Sequence, residues 1–213
     1  MNFASVSGKN WLLKKFDNSE VSKISESYSL SEIVAKLLSI RIKNIDDINL
    51  FLNPKIKNLL PNPLNLKDMN NAINRTYKSI VKKETIGIFG DYDVDGATST
   101  ALLYRYFNLL KLNLKTYIPD RQKEGYGPSI NSFNSLIKKG THIIFTVDCG
   151  TLSFESIKFA QNKKVDVIVL DHHQSDIRLP NACAIINPNR YDDTSKLNYL
   201  CAAGVCFIFL VAL

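Results

Sequence analysis

Residues 85–96 read TIGIFGDYDVDG, a short apolar run, Thr85 to Gly90, that empties into Asp91, Asp93 and Asp95. So brief a run, bounded by glycine and acids, predicts a buried strand whose end carries the acids. Outward from it the pattern repeats. Leu114–Ile118 (LKTYI), Thr141–Val147 (THIIFTV) and Val165–Leu170 (VDVIVL) read as further strands. Ala97–Leu110, Ser129–Lys139 and Ser153–Asn162 between them read as helices. Strand and helix in alternation predict an α/β fold: a mostly parallel, Rossmann-like sheet with helices on both faces. Ala184–Ile186 adds a short strand ahead of Pro188.

Upstream, Ser29–Leu38 and Asp46–Leu52 have apolar residues at helical spacing, and Pro54, Pro61 and Pro63 interrupt the stretch after them. Asp68–Lys83 predicts one more helix, with Asp68 as N-cap and Met69, Ala72, Ile73, Tyr77 and Ile80 on its apolar face. The expected organisation is therefore a small helical, basic region over residues 1–83 and an α/β domain over 84–213. No internal repeat or low-complexity stretch interrupts it.

Of the 213 residues, 45% are hydrophobic and 22% charged, which excludes disordered, collagenous and fibrous classes. Cys149, Cys183, Cys201 and Cys206 show no CxxC spacing and no signal peptide precedes them, so they read as reduced thiols of a cytoplasmic protein. The uncharged stretch Tyr199–Leu213 is too short to span a membrane and predicts a buried helix. It ends apolar and uncapped, as if the chain stopped before its fold was complete. Net charge is +7, and residues 1–83 hold 14 Lys and Arg against 7 Asp and Glu, whereas the remainder is balanced. Lys36, Lys43, Lys55, Lys57, Lys67, Lys78, Lys82 and Lys83 fit a surface that meets a polyanion such as nucleic acid, and equally a solvated helical face.

Three of the predicted strands run into aspartates: Asp91, Asp148 (in VDCG) and Asp171, the last followed by His172 and His173. Ligands bind at the carboxyl ends of strands in an open parallel sheet, so these acids belong to one rim. Five carboxylates and two imidazoles gathered there cannot stay ionised without cations. Carboxylates with imidazole suit Mn²⁺ or Mg²⁺, and a pair of such ions suits phosphoester hydrolysis. The spacing DxDxDG alone suggests a calcium loop, but the twelfth position from Asp91 is Leu102 where a bidentate Glu belongs. A strand ending in DxD also fits a phosphotransferase with an aspartyl nucleophile, which leaves both histidines without a task. In DRQKEGYG, Asp120 to Gly127, the glycines mark a tight turn. Arg121 there can reach a phosphate, and Tyr126 can stack on a base or simply pack.

DYDVDGATSTALL, EGYG, VDCG and DHH, in this order, with INPNR and CAAGVCF behind them, resemble the DHH phosphoesterase superfamily, and within it the exonucleases specific for single-stranded DNA. The resemblance covers about residues 45–213. It implies two divalent ions, Mn²⁺ or Mg²⁺, with Asp93, Asp95, Asp148 and His172 as ligands and Asp148 bridging. It further implies that His173 touches the scissile phosphate and that Asp91 and Asp171 support the ligands, Asp171 by fixing a histidine tautomer. The implied activity is 5′ to 3′ degradation of single-stranded DNA in recombination and repair, with a single-stranded-DNA-binding protein as partner and no membrane. Members of that superfamily continue to a further metal-binding Asp and a second domain. The resemblance thus implies an N-terminal piece of a longer enzyme, weakened at one metal site. A phosphodiesterase for very short oligonucleotides or nucleotides, and an inactive chain that only binds nucleic acid, are the alternative readings.

Overall fold

The computed structural model describes residues 3–213. They begin with a two-stranded antiparallel ribbon, β1 (Phe3–Ala4) and β2 (Asn10–Trp11). Next comes a helix not singled out from the sequence, α1 (Asn18–Tyr28), capped by the Asp17 carboxylate, which accepts from Ser19 N at 2.8 Å. Ser29 closes α1 in the left-handed region, φ 51°, so the helix expected from Ser29 starts only at Glu32 as α2 (Glu32–Arg41). Short helices α3 (Ile48–Leu52) and α4 (Ile56–Leu59) complete a first compact unit, Met1–Leu60. Val21, Ile24, Ala35, Leu38 and Ile48 form its core.

The second unit is Pro61–Leu213, so the division falls at residue 60 and not at the expected residue 83. The reason is α5 (Met69–Val81), which buries Met69 and Ala72 in the core of the second unit. Two details of α5 depart from expectation. Tyr77 is 62% exposed, because Thr76 and Ser79 occupy the buried face, satisfied by Ala72 O and by Arg75 and Glu84. Asp68 stands at the N-cap position with φ 62° but caps nothing. Its carboxylate accepts from Ile185 N at 3.1 Å and from Arg190 Nη1 at 2.6 Å instead.

Beyond α5 come β3 (Ile86–Gly90), α6 (Val94–Leu109), β4 (Leu114–Tyr117), a one-turn helix α7 (Arg121–Glu124), α8 (Ile130–Lys138), β5 (Ile143–Val147), α9 (Phe154–Asn162), β6 (Asp166–Leu170), β7 (Ala184–Ile186) and α10 (Ala202–Ala212). The five strands form one parallel sheet in the order β4-β3-β5-β6-β7. All residues of β3, β5 and β7 are buried, which is why they are continuous apolar runs and not alternating ones. Ile86, Ile88, Phe145, Val147, Ile168 and Ile186 face α5, α6 and α10, whereas Phe89, Ile144, Val167, Val169 and Ile185 face α8 and α9. Phe145 bridges to Phe107 of α6 at 5.4 Å and to Phe209 of α10 at 5.7 Å between ring centres. The expected strict alternation fails once, since β6 passes to the parallel β7 through residues 171–183 without a helix. Among the described residues, no helix is long and apolar enough to cross a membrane.

Candidate metal centre

Strands β4 and β5 lie on opposite sides of β3. The chain leaves β3 into α6 on one face and enters β5 from α8 on the other, which opens a crevice at the carboxyl ends of β3 and β5. Asp91 follows β3 there, Asp148 follows β5, and Asp171 follows β6. The turn after β3 is tight: a Cβ on Gly96 would lie 2.5 Å from Asp91 O, so only glycine lets α6 start against that backbone. Asp93 caps α6, its Oδ1 accepting from Gly96 N at 2.9 Å, and this starts the helix at Val94, ahead of the expected Ala97. Asp148 is a buried non-glycine residue with φ 60°, a left-handed conformation that costs energy and recurs at functional sites.

These turns bring the acids into two overlapping groups. Asp91, Asp93 and Asp148 each offer an oxygen within 4.8 Å of one another, and so do the ligand atoms of Asp148, His172 and His173. Asp148 belongs to both. His172 Nε2 lies 3.3 Å from Asp148 Oδ1 and 3.6 Å from Asp95 Oδ2. Burial, aided by the hydrogen bond and charge of Asp93 and the charge of Asp95, raises Asp148 from 3.8 to about 8. Burial likewise raises Asp91, whereas the Gly96 N–H holds Asp93 below the usual carboxylate range. Asp91 Oδ1 and Asp148 Oδ1 are buried and make no hydrogen bond, the nearby His172 Nε2 included. A buried carboxylate oxygen left so is costly, and a divalent cation satisfies it; oxygen donors with imidazole are the set that Mn²⁺ and Mg²⁺ take.

The remaining expected residues take different stations. Both oxygens of Asp95 accept from the start of α10, Oδ2 from Ala202 N at 2.7 Å and Oδ1 from Ala203 N at 2.8 Å. Asp171 is buried and accepts from His173 Nδ1 at 2.8 Å, so the ring it orients is that of His173 and not that of His172. Burial works against ionising Asp171, but bonds from His173 and Thr151 outweigh it and bring the carboxyl down to about 2. The same bond to Asp171 raises His173 above the ordinary histidine value. Asp91, expected behind the ligands, stands among the oxygen donors.

Tyr126 meets the His173 ring edge-on, with ring centres 5.7 Å apart. Its hydroxyl is 3.1 Å from Asp148 O and 3.2 Å from His173 Nδ1. Arg121 sits on the one-turn α7, which Asp120 caps by accepting from Gln122 N, and its guanidinium lies over the Tyr92 ring at 5.2 Å. A cleft of about 370 Å³ adjoins His173, bounded by Tyr126, Pro128, Thr151, Leu152 and Gln174. Reasoning from acids and histidines passed over Thr151, Asn187 and Asn189, which contact Asp171 or the two histidines. For the two asparagines the available signal was a polar NPN after a strand on the same rim.

The N-terminal domain model of the DHH family matches residues 85–212. The single-stranded-DNA-specific exonuclease RecJ of Bacillus subtilis is 35% identical over 95% of this chain and 26% of its own length. RecJ of Escherichia coli is 35% identical over 76% of this chain and 28% of its own length. A crystal structure of exonuclease RecJ bound to manganese shares 30% identity with a TM-score of 0.63, over 70% of this chain and 37% of that one. RecJ of Thermus thermophilus in complex with Mn²⁺ shares the fold with a TM-score of 0.72 at 24% identity, over 94% of this chain and 28% of that one. The chain thus spans about a quarter of the length of the curated relatives it matches.

Proposed function

This chain belongs to the DHH family, and from that premise we propose that it carries metal-binding residues of an exonuclease that hydrolyses phosphodiester bonds in single-stranded DNA. Asp148 supports the reading most: a buried carboxylate shared by both donor groups, held in a left-handed turn, with one oxygen that makes no hydrogen bond. Asp93, Asp95, Asp148 and His172 are the proposed ligands, with Asp148 between two sites. Asp91 joins them as a further oxygen donor. Bound Mn²⁺ or Mg²⁺ supplies Lewis acidity that activates water and offsets phosphate charge.

The chain's own groups do the rest. Asp148, whose burial favours the neutral carboxyl, would hold the cation in its ionised form. His173, whose Nδ1 lies 2.8 Å from Asp171 Oδ1, faces the phosphate and steadies the charge that develops on it. Tyr126 holds His173 and the Asp148 carbonyl together, and Arg121 takes a phosphate further along the strand. The cleft beside His173, with Leu152 and Pro128 on its wall, receives a base or sugar. Digestion runs from the 5′ end, and the work belongs to recombination and repair in the cytoplasm, alongside a single-stranded-DNA-binding protein.

The test is digestion of 5′-labelled oligonucleotides of increasing length with Mn²⁺. Release of mononucleotides that improves with length supports the proposal. Preference for dinucleotides moves the assignment to a small-nucleotide phosphodiesterase, and salt-sensitive binding without cleavage at any Mn²⁺ concentration reduces the chain to a nucleic-acid-binding element.

A further inference from the structure

Resting on the metal-centre reading above, we propose that Asn187 and Asn189, just past β7, are positioning residues that clamp the His172–His173 peptide segment and thereby aim both imidazoles. The segment starts a helix-free connection between two parallel strands, so nothing in its own secondary structure fixes it. Its N–H side is held by Asp171, whose Oδ1 accepts from His172 N at 2.7 Å and from His173 N at 3.2 Å. Its carbonyl side is held by the asparagines. Asn187 Nδ2 donates to His173 O at 2.9 Å, and Asn189 Nδ2 donates to His172 O. Both peptide groups are therefore tied from two directions, one by the residue after β6 and the other by the end of β7.

The donor count leaves one orientation. Asn187 is fully buried, and its Oδ1 accepts from Asn189 N at 2.8 Å, so its amino group must face His173 O. That same amino group donates to Thr151 Oγ1 at 2.8 Å, whose own proton goes to Asp171 Oδ2 at 2.6 Å. A single buried network thus joins the loops after β5, β6 and β7 behind the two histidines. Partners behind metal ligands set ring orientation, and their loss costs about ten- to a hundredfold in affinity.

The test is a Mn²⁺ titration followed by electron paramagnetic resonance, with the imidazole proton–nitrogen spectrum of the metal-free chain recorded alongside. His142, whose ring accepts from Thr85 N at 3.1 Å in the loop ahead of β5, is the internal control. Asn187→Ser and Asn189→Ala are each expected to weaken Mn²⁺ binding about ten- to a hundredfold. They should also broaden or split the His172 and His173 ring signals while leaving His142 unchanged. A merely structural role would lower the melting temperature and leave those rings as they were. If Asn187→Ser does not fold, Asn189→Ala decides alone. Wild-type affinity together with undisturbed ring signals overturns the proposal. A wild-type chain that binds no Mn²⁺ sinks the metal reading instead, and the ring spectra then still decide whether the asparagines hold the histidines.

Discussion

Asp148 meets two opposed demands, a buried site that favours its neutral form and a shared position useful only when it is ionised. Without metal its folded value, about 8, lies above the ordinary 3.8. Its contribution to stability is accordingly full below 3.8 and is lost as pH rises through about 8. Thermal melts in chelator should therefore show stability falling across that window. Asp148→Asn, which copies the neutral carboxyl, should flatten the slope and remove Mn²⁺ binding by more than about a hundredfold. Asp171 runs the other way. Its value near 2 gives stability that is present above 3.8 and lost as pH falls through about 2. If the chain cleaves single-stranded DNA with Mn²⁺ as proposed, Asp148→Ala is expected to abolish that cleavage; undiminished turnover would remove the bridging role. Gly96→Ala should cost about 1–3 kcal/mol by urea denaturation, since its Cβ meets Asp91 backbone that cannot yield.

At the scale of elements, the site depends on how helices and strands end. Cys201, the residue before α10, offers no side-chain cap, and the first N–H groups of that helix bond instead to Asp95, far away in sequence. A carboxylate at a helix N-terminus also complements the helix dipole. Asp95→Ala should therefore destabilise the metal-free chain by about 1 kcal/mol, the usual cost of losing a cap, and weaken Mn²⁺ binding as a separate effect measured by titration. The end of β7 and the start of α5 are joined by Arg190, whose side chain is 8% exposed and bonds to Asp68 and to Ile185 O. Arg190→Ala removes one partner of that pair and should cost roughly 3 kcal/mol in urea denaturation.

Over the whole molecule, the excess of positive charge lies in residues 1–83 and the candidate metal donors lie beyond residue 90. Single-stranded DNA binding should fall linearly in log–log terms as salt rises, and neutralising Lys55 and Lys57 together should make that slope shallower. Strand positions, the parallel sheet and the rim of acids were legible in the sequence, because a strand buried on both faces must be an unbroken apolar run and its end must turn at a polar residue. Periodicity served less well near α5, where Thr76 and Ser79 are buried by virtue of hydrogen bonds that no pattern of apolar residues reveals. The helix α1 also went unread, although Asp17 caps it and Val21, Ile24 and Tyr28 stand at helical spacing. Residue types and their order by themselves determined the fold class and which acids and histidines gather at the strand ends. Only the tertiary structure decided that Asp95 is bound to α10, that Asp171 orients His173, and that two asparagines close the network, because hydrogen bonds between loops depend on which strands lie side by side.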